Sequence, residues 1–291
     1  MIIPLPLPRL ASLIVLLIAT SPVRAQDPGV PPIPMDVPVL LVGDPRIDGS
    51  SLQPYEGAWA VGTIGKDEVL AFGEEITPGG ISLQRLERAE LDGRPVWRRT
   101  LVRKQAGSDV ELMTAIIYME IATLRPIRAM AEQPGGSRIG YDYDWDAYVV
   151  RPLGSGDETP PLMTLDLAML ESGAHDVWMA ALPYEEGSAA KIPVLQASTQ
   201  SKHWVVARVV GSEVVDRGDG IELDAWVVEL DWWGMGADPS YFPGGGRNGT
   251  AGTGGVYWIF KDPPPGVSRV FRVRTEINQN ADVIVQMQGG N

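Results

Sequence analysis

The chain has 291 residues, with 24 Lys and Arg against 37 Asp and Glu, two His, no Cys, 33 Gly and 25 Pro, and 44% of it is hydrophobic. That length and hydrophobic share sustain a core and exclude disorder throughout; the formal net charge of −13, with no basic run, excludes a nucleic-acid binder and disfavours anionic membrane surfaces. Zero cysteine removes thiol catalysis, thiolate metal sites, iron–sulfur clusters and a lipidated cysteine, and two histidines leave little from which to build a catalytic zinc.

Residues 1–25 carry Arg9, an apolar run from Leu10 to Ala19 and the end Val23-Arg24-Ala25, where small or apolar residues stand at the positions a signal peptidase reads. The run is half the roughly 20 residues that a membrane-spanning helix needs. The segment therefore reads as a cleaved secretory signal, and the protein as exported to periplasm or medium and not membrane-spanning after cleavage. Loss of Arg9 and Arg24 would leave 22 basic and 37 acidic groups.

Residues 26–54 hold prolines 28, 31, 32, 34, 38, 45 and 54, which fix φ and remove donors. The segment reads as an extended linker, at most an edge strand, before a single β-rich domain over 55–291. There the dominant pattern is short β-prone runs between turn residues. The best local signal pairs Ser82–Leu91 with Arg94–Lys104 across Asp92-Gly93, a dipeptide suited to the positive φ angles of a type I′ hairpin. Within the second of these runs, Trp97 to Arg103 puts arginine on both faces of one strand, which lipid would not tolerate, so an outer-membrane barrel is disfavoured. Further runs are Val69–Ile76, Val110–Thr123, Arg138–Arg151, Lys191–Ser198, His203–Val210, Ile221–Trp232, Val256–Lys261, Val267–Thr275 and Val283–Met287. About ten antiparallel strands are too many for one flat sheet, so the fold class is mainly β, a strongly curved antiparallel sheet closing as a half-barrel or barrel. Leu162–Glu171 and Val177–Leu182 are rich in helix formers and predict one or two short covering helices.

Alternation in the C-terminal runs puts Trp226, Val228, Leu230 and Trp232 on one face, and Val256, Trp258 and Phe260 likewise on one face. From these, Trp226, Trp232, Trp258 and Phe260 are the candidate ligand-binding residues, an aromatic lining for an apolar groove. Other motifs fall away. Gly244, Gly246 and Gly249 fit a dinucleotide fingerprint but lack a strand before and a helix after. Asp142, Asp144 and Asp146 start like a calcium loop that fails at Ala147 and Leu153, leaving a half-buried strand with a wet acidic face. Ser188-Ala189-Ala190-Lys191 matches a serine–lysine pair, but Pro193 opposes the helix it needs. No residue is assigned as catalytic, and no metal or cofactor is expected.

Leu165-Asp166-Leu167, Ala181-Leu182-Pro183, Gly187, Val210-Gly211-Ser212-Glu213, Gly220, Ala225-Trp226-Val227-Val228-Glu229 and Tyr257-Trp258-Ile259-Phe260-Lys261 stand in an order that resembles a family of exported bacterial β-proteins of unknown function. That family looks like the half-barrel lipoprotein carriers of the periplasm. The resemblance runs from about Ala58 to Thr275 and implies an envelope protein with a curved antiparallel sheet and a helical lid. It brings no catalytic residues. The expected function is non-enzymatic binding of a lipid or other hydrophobic ligand in the groove. The alternative is a structural or adaptor module whose strand edge or 234–255 glycine-rich loop pairs with an envelope protein; a hydrolase using acidic residues ranks third.

Overall fold

A computed structural model describes residues 33–65, 78–157, 159–216, 221–235, 241–242, 255–278 and 281–287. The proposed signal segment, the run Val69–Ile76 and the glycine fingerprint lie outside them. The strands are β1 (Tyr55–Gly65), β2 (Pro78–Leu91), β3 (Arg94–Gln105), β4 (Glu111–Glu120), β5 (Pro126–Glu132), β6 (Arg138–Asp144), β7 (Val149–Pro152) and β8 (Met163–Thr164). They continue as β9 (Leu170–Glu171), β10 (Ala189–Gln196), β11 (Ser201–Asp216), β12 (Glu222–Gly234), β13 (Tyr241–Phe242), β14 (Gly255–Phe260), β15 (Val270–Asn278) and β16 (Ala281–Met287). One α-helix, α1 (His175–Ala180), is present among the described residues.

All sixteen strands belong to one sheet, ordered β8-β7-β6-β5-β4-β3-β2-β1-β16-β15-β14-β12-β11-β10-β9, with β13 off this path against β12. Neighbours are antiparallel except β9 beside β10. The two edge strands, β8 and β9, are consecutive in the chain. Fourteen strand spacings of about 4.8 Å would separate the edges of a flat sheet by about 67 Å, whereas the six residue steps from Thr164 to Leu170 reach at most about 20 Å. The sheet must therefore roll until its edges nearly meet. A side-chain bond closes the same gap: Tyr143 Oη on β6 donates to Glu171 Oε2 on β9 at 2.6 Å. The fold is a barrel-like roll, curved but not closed by a backbone ladder.

The β2–β3 hairpin forms where the turn chemistry demands it. Leu91 faces Arg94, and Asp92 (φ 52°) and Gly93 (φ 76°) both take the left-handed angles of the two-residue turn. The run Arg138–Arg151 breaks into two strands, because the Asp144 carboxylate accepts the N–H groups of Asp146 and Ala147 and folds a turn at 145–148. Asp142 pairs with Arg128 at 2.6 Å, so the aspartates serve a turn and an ion pair. β1 and β5 carry no strong sequence signal: the first is thinned by Gly57, Gly62 and Gly65, and the second, PIRAMAE, opens on proline.

Two expectations are corrected. Leu162–Glu171 is not helical; it supplies β8 and β9 and the crossing between the sheet edges. Its Leu165, Met169 and Leu170 are buried by the roll, so burial between the sheet edges overrides the helix propensity of these residues. The proline-rich segment is not a free linker either. Leu40, Ile47 and Leu52 enter the core, Leu40 N–H donates to the Lys191 carbonyl at 2.9 Å, and Trp97 Nε1 donates to the Gly49 carbonyl at 2.8 Å. A Cβ on Gly49 would lie 2.3 Å from the Ile121 carbonyl oxygen, so only glycine fits there.

Candidate functional site

The interior of the roll is plugged by α1, whose six residues would not hold as a helix alone in water. A turn at Ser172–Ala174, capped by the Glu171 carboxylate on the Gly173 N–H at 3.3 Å, leads into it, and its residues Asp176 to Ala180 are all buried. Asp176 is the polar centre. Its Oδ2 accepts from Tyr55 Oη of β1 at 2.8 Å and from Arg99 Nε of β3 at 3.4 Å, and its Oδ1 lies 3.2 Å from Arg99 Nη2. Burial pushes this carboxyl up, but Arg99, His175 and the Tyr55 hydroxyl outweigh it and hold the group below its ordinary range.

His175 precedes it in the chain. Its Nδ1 lies 3.1 Å from the Ser172 carbonyl, which can only accept, so Nδ1 carries the proton. The ring stands edge-on to Tyr257 of β14 at 5.9 Å. Burial is the main reason that His175 titrates below its usual value; Asp176 opposes this and Arg99 and Arg103 add to it. The imidazole is therefore neutral at pH 7, and the cluster as built is a positioning device for α1.

Beside it, Glu171 is buried with Tyr143, Ser172 Oγ and Gly173 N–H as donors. Burial raises its carboxyl to about 7 despite those bonds. Tyr143 stacks on Trp145 at 6.0 Å.

The inner face of β3 carries Trp97, Arg99, Leu101 and Arg103 in alternation. Arg99 has Asp176. Arg103 has no hydrogen-bond or ion-pair partner among the described residues, and its Nε is shielded from solvent. Burial lowers its affinity for a proton, and the like charge of Arg99 lowers it further. Register sets Arg103 beside Ser82 of β2 and Met113 of β4, and Ser82 in turn beside Trp59 of β1. Around Arg103 and in the Leu101 row between it and Arg99, which pairs with Ala115 and through it with Ala131 and Ile139, the inner face is less filled. Val61, Met113, Ala115 and Ala131 are half-buried, and Ile139 is 49% exposed. The opposite half of the roll is solid: Val205, Val228, Leu230 and Ile259 have no exposed surface.

The four aromatic candidates fall in that solid half and do not line one groove. Trp232 lies in the core, edge-on to His203 at 5.4 Å. Phe260 lies in the core too, stacked on Phe271 at 4.3 Å. Trp226 is half-buried with the Lys261 ammonium 4.1 Å over its ring. Trp258 pairs with Val227, whereas Trp226 pairs with Ile259, so Trp258 projects from the other face of the sheet. There its Nε1 donates to Glu213 and the Arg272 guanidinium sits 5.3 Å above the ring. Sequence reasoning passed over the polar interior because Tyr55, Arg99, Arg103 and Asp176 are scattered over the chain, and the run from Trp97 to Arg103 reads in sequence only as charge on two faces of one strand. Among the described residues no three His, Asp or Glu side chains gather as metal ligands, and no helix is long and apolar enough to cross a membrane.

The fold and interior define a class, a rolled, almost entirely antiparallel β-protein with a short buried helix inside the roll. Residues 69–281 match the profile of DUF3108, a family described as proteins of unknown function, and the chain belongs to that family. No curated protein matches it. A solved structure titled as a beta-barrel-like protein of domain of unknown function DUF1849 from Brucella abortus is similar over 82% of this chain and 99% of its own, at 8% identity and a TM-score of 0.39.

Proposed function

We propose that this is a non-enzymatic, exported protein of the cell envelope that binds a lipid or another elongated hydrophobic ligand inside the rolled sheet. The observation that supports this is the contrast within the roll: beyond α1 the inner face of β1 and β4–β6 carries apolar side chains that are incompletely covered, at Val61, Met113, Ala115, Ala131 and Ile139. Apolar surface facing a lumen without filling it is surface for a ligand to cover, at about 25 cal/mol per Å² before ordering costs. Small, half-buried side chains at Ala115 and Ala131, paired across β4 and β5, leave room for a chain of methylenes. The apolar signal segment at residues 1–25 supports the envelope address.

The test is native mass spectrometry of the protein purified from its own envelope fraction, with organic extraction of whatever travels with it. A retained mass that Ala131→Trp displaces, while the variant melts at the wild-type temperature, supports the reading. A bare protein mass, with no uptake of added long-chain alcohol, refutes it.

A further inference from the structure

We infer that the lumen holds an anionic amphiphile, whose carboxylate or phosphate head is bound by Arg103 with Arg99 behind it; this rests on the apolar lumen proposed above. Charge balance is the reason. Arg99 and Arg103 stand two alternations apart on the inner face of β3, and the one carboxylate among the described residues that reaches either is Asp176, spent on Arg99. Arg103 is left without a partner among the described residues, with its Nε sealed from water. A half-buried guanidinium with one nitrogen sealed from water beside another cation is costly to keep. The chain carries 37 acids, and none of the described ones pairs with it. His175, the other titratable group near Arg103 on α1, is neutral or cationic and supplies no negative charge in either protonation state. Ser82, buried beside Arg103 on the same face, has an oxygen that accepts from Gln84 Nε2 at 3.4 Å, which leaves its hydroxyl proton for an anion.

The position also fits an amphiphile rather than a free anion. Arg103 stands one alternation along β3 from the row of Leu101 and the half-buried Ala115 and Ala131, between Met113 on β4 and, through Ser82, Trp59 on β1. A head held there leaves its tail to run along Ala115 and Ala131. A guanidinium offers the planar pair of donors that carboxylates and phosphates accept from, which a lysine does not reproduce.

The test compares palmitate, hexadecanol and inorganic phosphate on wild type, Arg103→Gln and Arg103→Lys, by calorimetry. Wild type should bind palmitate at least tenfold more tightly than hexadecanol. Arg103→Gln should weaken palmitate by at least tenfold and leave hexadecanol unchanged, and Arg103→Lys should recover part of the loss. Because Arg103 holds nothing together, Arg103→Gln should fold and melt no lower than wild type. Equal palmitate binding by wild type and Arg103→Gln overturns the head-group assignment while leaving the apolar lumen standing. Phosphate binding that depends on Arg103, without binding of either long-chain probe, keeps the anion site and removes the lumen. No binding of any probe overturns both.

Discussion

The two halves of the rolled sheet are built from the same antiparallel ladder and differ in what stands on the inner face. From β10 to β15 the inward residues are large or β-branched, Val205, Val228, Leu230, Trp232 and Ile259, and they pack to completion around α1. From β1 to β6 the inward residues include Ala115 and Ala131, which are small and only half-buried. On the function proposed above, a curved sheet makes a core where its side chains are bulky and a ligand lumen where they are small. Aromatic content, which marked the C-terminal half as the binding face, marks the half that is already full.

The largest test of this contrast is at the seam. Asp176→Asn should destabilise the fold by about 3–5 kcal/mol, since it leaves Arg99 buried and unpaired beside Arg103; a denaturation midpoint equal to wild type would show that the ion pair does not hold α1. Trp232→Ala in the packed half should cost a similar 3–5 kcal/mol, on the order expected for the cavity, with binding lost only in proportion to folding. If instead Trp232→Ala folds normally and loses ligand, the binding face lies in the C-terminal half after all.

Glu171 gives a smaller, pH-dependent effect. Its folded-state value of about 7 stands above the ordinary 4.5, so the folded state keeps its proton. The associated stability is complete below pH 4.5 and is lost as pH rises through 7, about 3 kcal/mol in all. His175, depressed by burial, contributes the opposite slope on the acid side of its usual value. The difference between wild type and Glu171→Gln isolates the carboxyl: melting temperatures across pH 4.5–7.5 should fall with pH more steeply in wild type. Parallel curves would mean that Glu171 is solvated. Gly93→Ala should cost about 1 kcal/mol, because the φ of 76° is strained for alanine and no neighbour lies within 4 Å to add a clash. Smallest of all, Ala131→Trp should change stability by no more than about 0.5 kcal/mol while blocking the lumen; a large loss would show that this face is packed.

Much of the sheet was legible because its signals are local. Asp92-Gly93 specifies its own hairpin, and the alternation in β11, β12 and β15 needs only neighbouring residues to be read. Mainly β character and strong curvature follow from strand number alone. What the sequence could not decide is which of two faces is dry and which is open. Trp226 and Trp258 look equivalent as pattern, yet the pairing of Val227 with Trp258 sends them to opposite sides of the sheet. Residues 162–171 are rich in the helix formers Leu, Met and Ala, and only the need to cross between two sheet edges made them extended.

The polar interior is the clearest case of the same limit. Tyr55, Arg99, the adjacent pair His175-Asp176 and Tyr257 are spread over most of the described chain, and no short spacing joins the pair to the other three. They meet because the sheet rolls around a helix of six residues. Composition and alternation determined the strands, since each strand answers to its own residues. Which carboxylate reaches Arg99, and that none of the described ones reaches Arg103, was decided by the roll, because charge balance in a lumen depends on every wall that faces it.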